Sequence, residues 1–194
     1  MNNNIPIFPL SSITFPGGYM PLRIFETRYI DMVKDCVKNN TGFGISLTKP
    51  NEDNFYDVGT YCKITDWEQM RDGLLGITIK GKCRYKIVRS EVQPDNLIRA
   101  DVEEMQEPKF IDIPKELMPY SDFLKNILDQ YPNFYNDDAP RYYTESGWVG
   151  SRLAEILPMT LDEKQVILEM EDYLVQITQL LVLEQTKLIK PLMS

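Results

Sequence analysis

Ile5-Pro6-Ile7-Phe8-Pro9-Leu10, followed by Phe15-Pro16-Gly17-Gly18-Tyr19-Met20-Pro21-Leu22-Arg23-Ile24-Phe25-Glu26, is the stretch whose reading decides the fold. Its four prolines lock φ and lack an N–H, so they belong at strand edges and turns, and the Gly17-Gly18 pair permits φ > 0. Apolar residues then recur at helical spacing: Phe25, Tyr29, Met32, Val33, Cys36 and Val37. A strand, a rigid turn, a second strand and an amphipathic helix are thus expected within the first 38 residues.

Outward from that segment, short alternating runs predict strands at Gly42–Leu47, Gly59–Trp67, Leu74–Lys80, Arg84–Ser90 and Ile98–Met105. Asp72-Gly73 is a hairpin signal between two of them. Many short strands with one helix predict a small, partly closed barrel. After Ile113-Pro114 the pattern becomes helical, with helices expected at Lys115–Gln130, Ser146–Leu157, Asp162–Leu168 and Tyr173–Lys190 and a long loop over Tyr131–Tyr143. Thr160 and Glu163 have capping-box spacing, Pro158 ends the helix before it, and Leu180–Leu183 is apolar all round. The chain is therefore expected to divide into a barrel part, residues 1–110, and a helical part, residues 111–194. The charge divides there too. The first part holds 14 Lys/Arg against 15 Asp/Glu, and the second holds 7 against 14, a net of −7.

A chain of 194 residues, 43% apolar and 26% charged, is expected to fold around a good core. No signal peptide or membrane span is visible, and Cys36, Cys62 and Cys83 lack C-x-x-C spacing, so a reducing cytoplasm is expected. The chain has no histidine. That excludes Ser-His-Asp and Cys-His nucleophilic sites and H-E-x-x-H zinc sites, and no metal or cofactor is expected.

Each remaining candidate has a structural alternative. Gly76-Ile77-Thr78-Ile79-Lys80-Gly81-Lys82-Cys83 has P-loop spacing, but Cys83 stands where a Ser or Thr must reach Mg²⁺, and the segment alternates as a strand. Lys80, Lys82, Arg84 and Lys86 form a basic stripe that would suit nucleic-acid phosphates. A pI near 4.7 and the opposing alternation of Arg99, Asp101 and Glu103 favour a solvated strand face instead. Asp66, Glu68 and Asp72 read as turn chemistry rather than acid–base catalysis. Glu26 is expected to help start the helix, with Arg23 pairing locally. Phe15, Tyr19, Trp67 and Trp148 are candidate peptide-contacting aromatics, with core packing the alternative for each.

The spelling of these motifs carries a resemblance. Pro6-x-Phe8-Pro9-Leu10, Phe15-Pro16-Gly17, Pro21-Leu22-x-Ile24-Phe25-Glu26-x-Arg28-Tyr29 and Met32-Val33 resemble the N-terminal substrate-binding domain of Lon proteases. The likeness continues through Phe43-Gly44, Val58-Gly59-Thr60, Ile64, Asp72-Gly73-x-Leu75 and Gly81-x-x-Arg84-Tyr85. It extends to Leu153-Ala154-x-x-Leu157-Pro158 and Glu163-Lys164-Gln165 in the helical part. Thr27 departs from the family, where proline is common, and the loop Tyr131–Tyr143 looks divergent. The resemblance implies an α+β fold, a PUA-like β-barrel with one inserted helix followed by a helical bundle. It also implies a protein quality-control role, the binding of exposed or unfolded polypeptide or of another protein partner. Neither the ATPase nor the Ser-Lys protease domain of Lon proteases is present in these 194 residues, so a stand-alone, non-enzymatic binding module is expected. Its acidic helical part would favour basic partners. An RNA-binding PUA-like module using the Lys80–Lys86 face is the alternative.

Overall fold

The computed structural model describes residues 3–50, 54–106, 111–131 and 139–172. Its elements are β1 (Asn4–Leu10), β2 (Tyr19–Ile24), α1 (Thr27–Lys38), β3 (Phe43–Leu47), β4 (Val58–Gln69), β5 (Leu75–Val92) and β6 (Ile98–Glu104). There follow a 3₁₀ turn (Lys115–Leu117), α2 (Met118–Gln130), α3 (Ser146–Ile156) and α4 (Leu161–Glu169). The helix expected over Tyr173–Lys190 and most of the Tyr131–Tyr143 loop lie outside the described residues. The chain separates into two compact units, residues 1–105 and 106–194.

In the first unit the strands run β2-β5-β4-β3-β1-β6, and a further β5–β6 pairing carries the hydrogen bonding round the barrel. Only β1 and β3 are parallel. One long strand makes this possible. The first half of β5 pairs with β2 (Tyr19 opposite Lys80 through Ile24 opposite Leu75), and its second half pairs with β6 (Tyr85 opposite Glu104 through Val92 opposite Ile98). The separate strands expected at Leu74–Lys80 and Arg84–Ser90 are therefore one. At the Gly81-Lys82-Cys83 junction the register skips Lys82 opposite Tyr61 and Cys62, a bulge that bends the strand without ending it. The Gly76–Cys83 segment thus has no strand-to-helix turn to cradle phosphate.

The Asp72-Gly73 hairpin forms as its sequence indicates. Met70 N donates to Leu74 O at 2.8 Å, and Gly73 takes a φ of 84°. Helix α1 buries Tyr29, Met32, Val33 and Cys36 against the barrel, with Phe8 stacked on Tyr29 at a centroid distance of 3.9 Å. It ends in a Schellman arrangement. Asn40 adopts a φ of 49°, Thr41 N donates to Cys36 O, and Asn40 N donates to Val37 O. A second cluster inside the barrel gathers Ile5, Ile7, Tyr61, Tyr85, Ala100 and Val102. Tyr85 is fully buried and its hydroxyl lies 2.8 Å from Ser46 Oγ. Gly44 and Gly59 flank that ring, where a Cβ on either would strike it.

In the second unit Glu145 caps α3, its carboxylate accepting from Gly147 N and Trp148 N. Leu157, just before Pro158, is extended at φ −65° and ψ 145° and closes the helix. Every residue from Ser146 to Ala154 is buried, so α3 is the centre of this unit, packed against α2 and α4. Buried Arg152 is held by a two-pronged contact to Glu155 at 2.7 and 2.9 Å. Thr160 and Glu163 form a complete capping box on α4.

Candidate functional site

Helix α1 carries more apolar surface than the barrel covers. Ile30, Val33, Lys34, Val37 and Lys38 fall three and four residues from one another in the i, i+3, i+4, i+7, i+8 pattern of one helix face, and that face borders an open groove of about 590 Å³. Ile24 and Phe25 from the end of β2, Trp67 and Gln69 from β4, and Gly73, Leu74 and Leu75 from the hairpin complete its walls. Phe25 is 69% exposed, Trp67 63% and Val37 49%. Three large apolar side chains thus stand open together on one groove rather than scattered singly.

Phe25 and Val37 belong to the apolar series read as one amphipathic helix, yet Phe25 stands before the N-cap Glu26, outside α1, and Val37 turns outward at the edge of its packed face. An α-helix packs a face of limited width, and Tyr29, Met32, Val33 and Cys36 fill it here. Val37, at the edge of that face, stays 49% exposed and Ile30 is only partly buried. The signal in the sequence was the excess width of the apolar pattern, wider than one packed face needs.

Phe15, Tyr19 and Trp67 of the first unit occupy different settings, and Trp148 belongs to the second unit. Trp67 lies in the groove. Phe15 is 1% exposed and belongs to the barrel interior, so it offers no ring surface. Tyr19 is half-buried, with Lys80 Nζ 5.0 Å from its ring centroid. Trp148 is a packing residue of the helical unit, buried and edge-on to Tyr143 at 5.3 Å and Tyr142 at 6.4 Å.

The basic stripe is broken. Lys82 and Lys86 are exposed and Lys80 is partly buried, but Arg84 is 1% exposed and presents no charge at the surface. Lys86 stands opposite Glu103, Arg89 opposite Asp101 and Glu91 opposite Arg99, the interstrand pairing of a solvated face. Asp66 and Asp72, near the hairpin, are engaged in local structure. Asp66 accepts from Trp67 N, and Asp72 accepts from Leu74 N and pairs with Arg23. Arg23 therefore finds its partner across the sheet rather than locally. Glu26 stands at the start of α1 without capping it and pairs instead with Arg28 at 2.7 Å.

Burial pushes the Cys36 thiol up from its ordinary value, a shift that the Thr41 hydrogen bond only partly offsets, which is the reverse of an activated thiolate. Among the described residues no cluster of His, Cys, Asp or Glu has metal-binding geometry, and no helix is long and apolar enough to cross a membrane.

Comparison with known proteins bears directly on this architecture. The crystal structure of a Lon N-terminal domain protein from Xanthomonas campestris matches with a TM-score of 0.79 at 28% identity, covering 92% of this chain and 97% of that one. The N-terminal domain of a Mycobacterium avium complex Lon protease matches at 0.59 and 18% identity over 91% and 95%, a likeness of fold. In sequence, the chain is 27% identical over 190 residues to a Lon protease of Cytophaga hutchinsonii, and 22% identical over 177 residues to one of Anaeromyxobacter dehalogenans. It covers 91% and 85% of itself in those matches but only 23% and 21% of those proteins, about a fifth of their length. The family model of the ATP-dependent protease La (LON) substrate-binding domain matches residues 4–183, both the strand-rich and the helical unit. The chain belongs to that family.

Proposed function

We propose that the barrel unit is a recognition module, non-catalytic on its own, that binds exposed or unfolded polypeptide segments in the groove between α1 and the β4–β5 hairpin. The observation that carries this reading is the exposure of Phe25 and Trp67 on the walls of one apolar groove, in a chain of the substrate-binding family. A folded protein keeps such side chains inside, so a groove offering aromatic surface selects chains that have lost or not reached their fold. The reward is desolvation, about 25 cal/mol for each Å² of apolar surface covered. Aromatic anchors at a groove centre dominate such contacts. Gln69 supplies both an amide donor and an acceptor at the wall, suited to the backbone of an extended segment. The edge of β2 is less suited to strand addition, because Pro21 lacks an N–H there.

Titration with a reduced, alkylated and therefore permanently unfolded protein tests this. Trp67 emission should shift to the blue as its ring leaves water, and the shift should vanish in Trp67→Phe, where buried Trp148 alone reports. A saturable interaction that leaves the Trp67 signal unchanged, or the absence of any interaction, overturns the reading.

A further inference from the structure

Resting on that groove, we infer that the module prefers apolar segments flanked by acidic residues. Two lysines, Lys34 and Lys38, line the groove, and among the described residues no carboxylate does. Helix α1 sorts its charges. Asp31 and Asp35 line a different cavity of about 330 Å³ together with Arg28 and Arg99, while the lysines line the apolar groove.

Neither lysine is committed elsewhere. Lys34 contacts Asp31 at 2.9 Å, but the side chains are 67% and 60% exposed, so water screens that pair and two ammonium protons remain to donate. Lys38 lies in the last turn of α1, where the helix dipole favours a cation, and it has no carboxylate partner among the described residues. A segment that seats an apolar side chain between Val37 and Trp67 therefore brings its neighbouring residues beside two ammonium groups.

The charge of the whole chain, −8, points the other way and would attract basic partners. Distance decides between the two. At physiological salt the screening length is about 8 Å, so remote carboxylates are damped while a lysine at the rim of the site still acts.

The test uses three fluorescent peptides that share one apolar core and differ only in flanking Asp, Ser or Lys. Anisotropy is read with the full chain in about 150 mM salt. The Asp-flanked peptide should bind roughly 3- to 10-fold tighter than the Lys-flanked one, as two partly screened pairs would give. Lys34→Gln/Lys38→Gln should erase the preference, and Lys34→Glu/Lys38→Glu should reverse it. Equal binding of the three peptides, or tighter binding of the Lys-flanked one, overturns the acidic preference. Phe25→Ser separates this from failure of the groove itself. If it weakens all three peptides, the groove stands whatever the flanks show, and if it weakens none, the groove reading falls.

Discussion

The carbonyl of Phe15 closes on Gly81 so tightly that a Cβ on Gly81 would fall on it. Gly17 N donates to Gly81 O at 3.0 Å and Gly81 N donates to Gly18 O at 2.9 Å, locking the proline-glycine turn onto the bulge of β5. Both partners are backbone, so neither can swing aside. Gly81→Ala is expected to cost about 2 kcal/mol through this overpacking, whereas exposed Lys82→Ala next to it should stay within about 0.5 kcal/mol. Urea unfolding followed by circular dichroism compares the two.

Tyr85 and Ser46 exchange a buried hydrogen bond, so Tyr85→Phe leaves the Ser46 hydroxyl without its partner in the barrel. A loss of about 1–3 kcal/mol is expected, with part of it recovered in Tyr85→Phe/Ser46→Ala. Urea midpoints of the single and double variants measure both.

Burial also pushes the Tyr85 phenol well above its ordinary value, the Ser46 hydrogen bond offsetting this only in part. The unfolded chain then loses this proton at a lower pH than the folded one. Stability from this group is intact below about pH 10 and falls as pH rises above it. Tyr85→Phe should flatten that part of the alkaline decline in a stability-against-pH series.

Phe25 is 69% exposed. Phe25→Ser should leave the melting temperature nearly unchanged, as exposed substitutions do, and weaken polypeptide binding about 10- to 30-fold, the scale of a lost aromatic hot spot. A calorimetric melt and a binding titration on one preparation give both readings.

Thr160 Oγ accepts from Glu163 N while Glu163 Oε2 accepts from Thr160 N at 2.8 Å. Thr160→Ala is expected to destabilise the helical unit by about 1 kcal/mol. Emission of Trp148 in a Trp67→Phe background reports on that unit alone.

Local rules carried much of the fold. Asp72-Gly73 marked the hairpin, Thr160-x-x-Glu163 the capping box, and Pro158 the end of α3, because each depends on residues a few positions apart. The continuity of β5 was hidden, since Gly81-Lys82 reads as a break and only the strand opposite shows it to be a bulge. The same limit applied to side chains. Arg84 alternates with exposed lysines in sequence, and nothing local signals that it is buried. Phe15 and Trp148 looked like Trp67 as candidate contacts, because burial depends on tertiary neighbours. The groove itself was half visible, in an apolar pattern on α1 too wide for one packed face.

A benzophenone amino acid placed at Val37, inside the groove, and separately at Val88, which is 63% exposed on β5 and outside it, gives the most direct test. With an unfolded polypeptide present, irradiation should cross-link efficiently from position 37 and little from position 88, and excess unlabelled polypeptide should suppress the product. Equal yields from the two positions, or a product from position 88 alone, would contradict recognition through this groove.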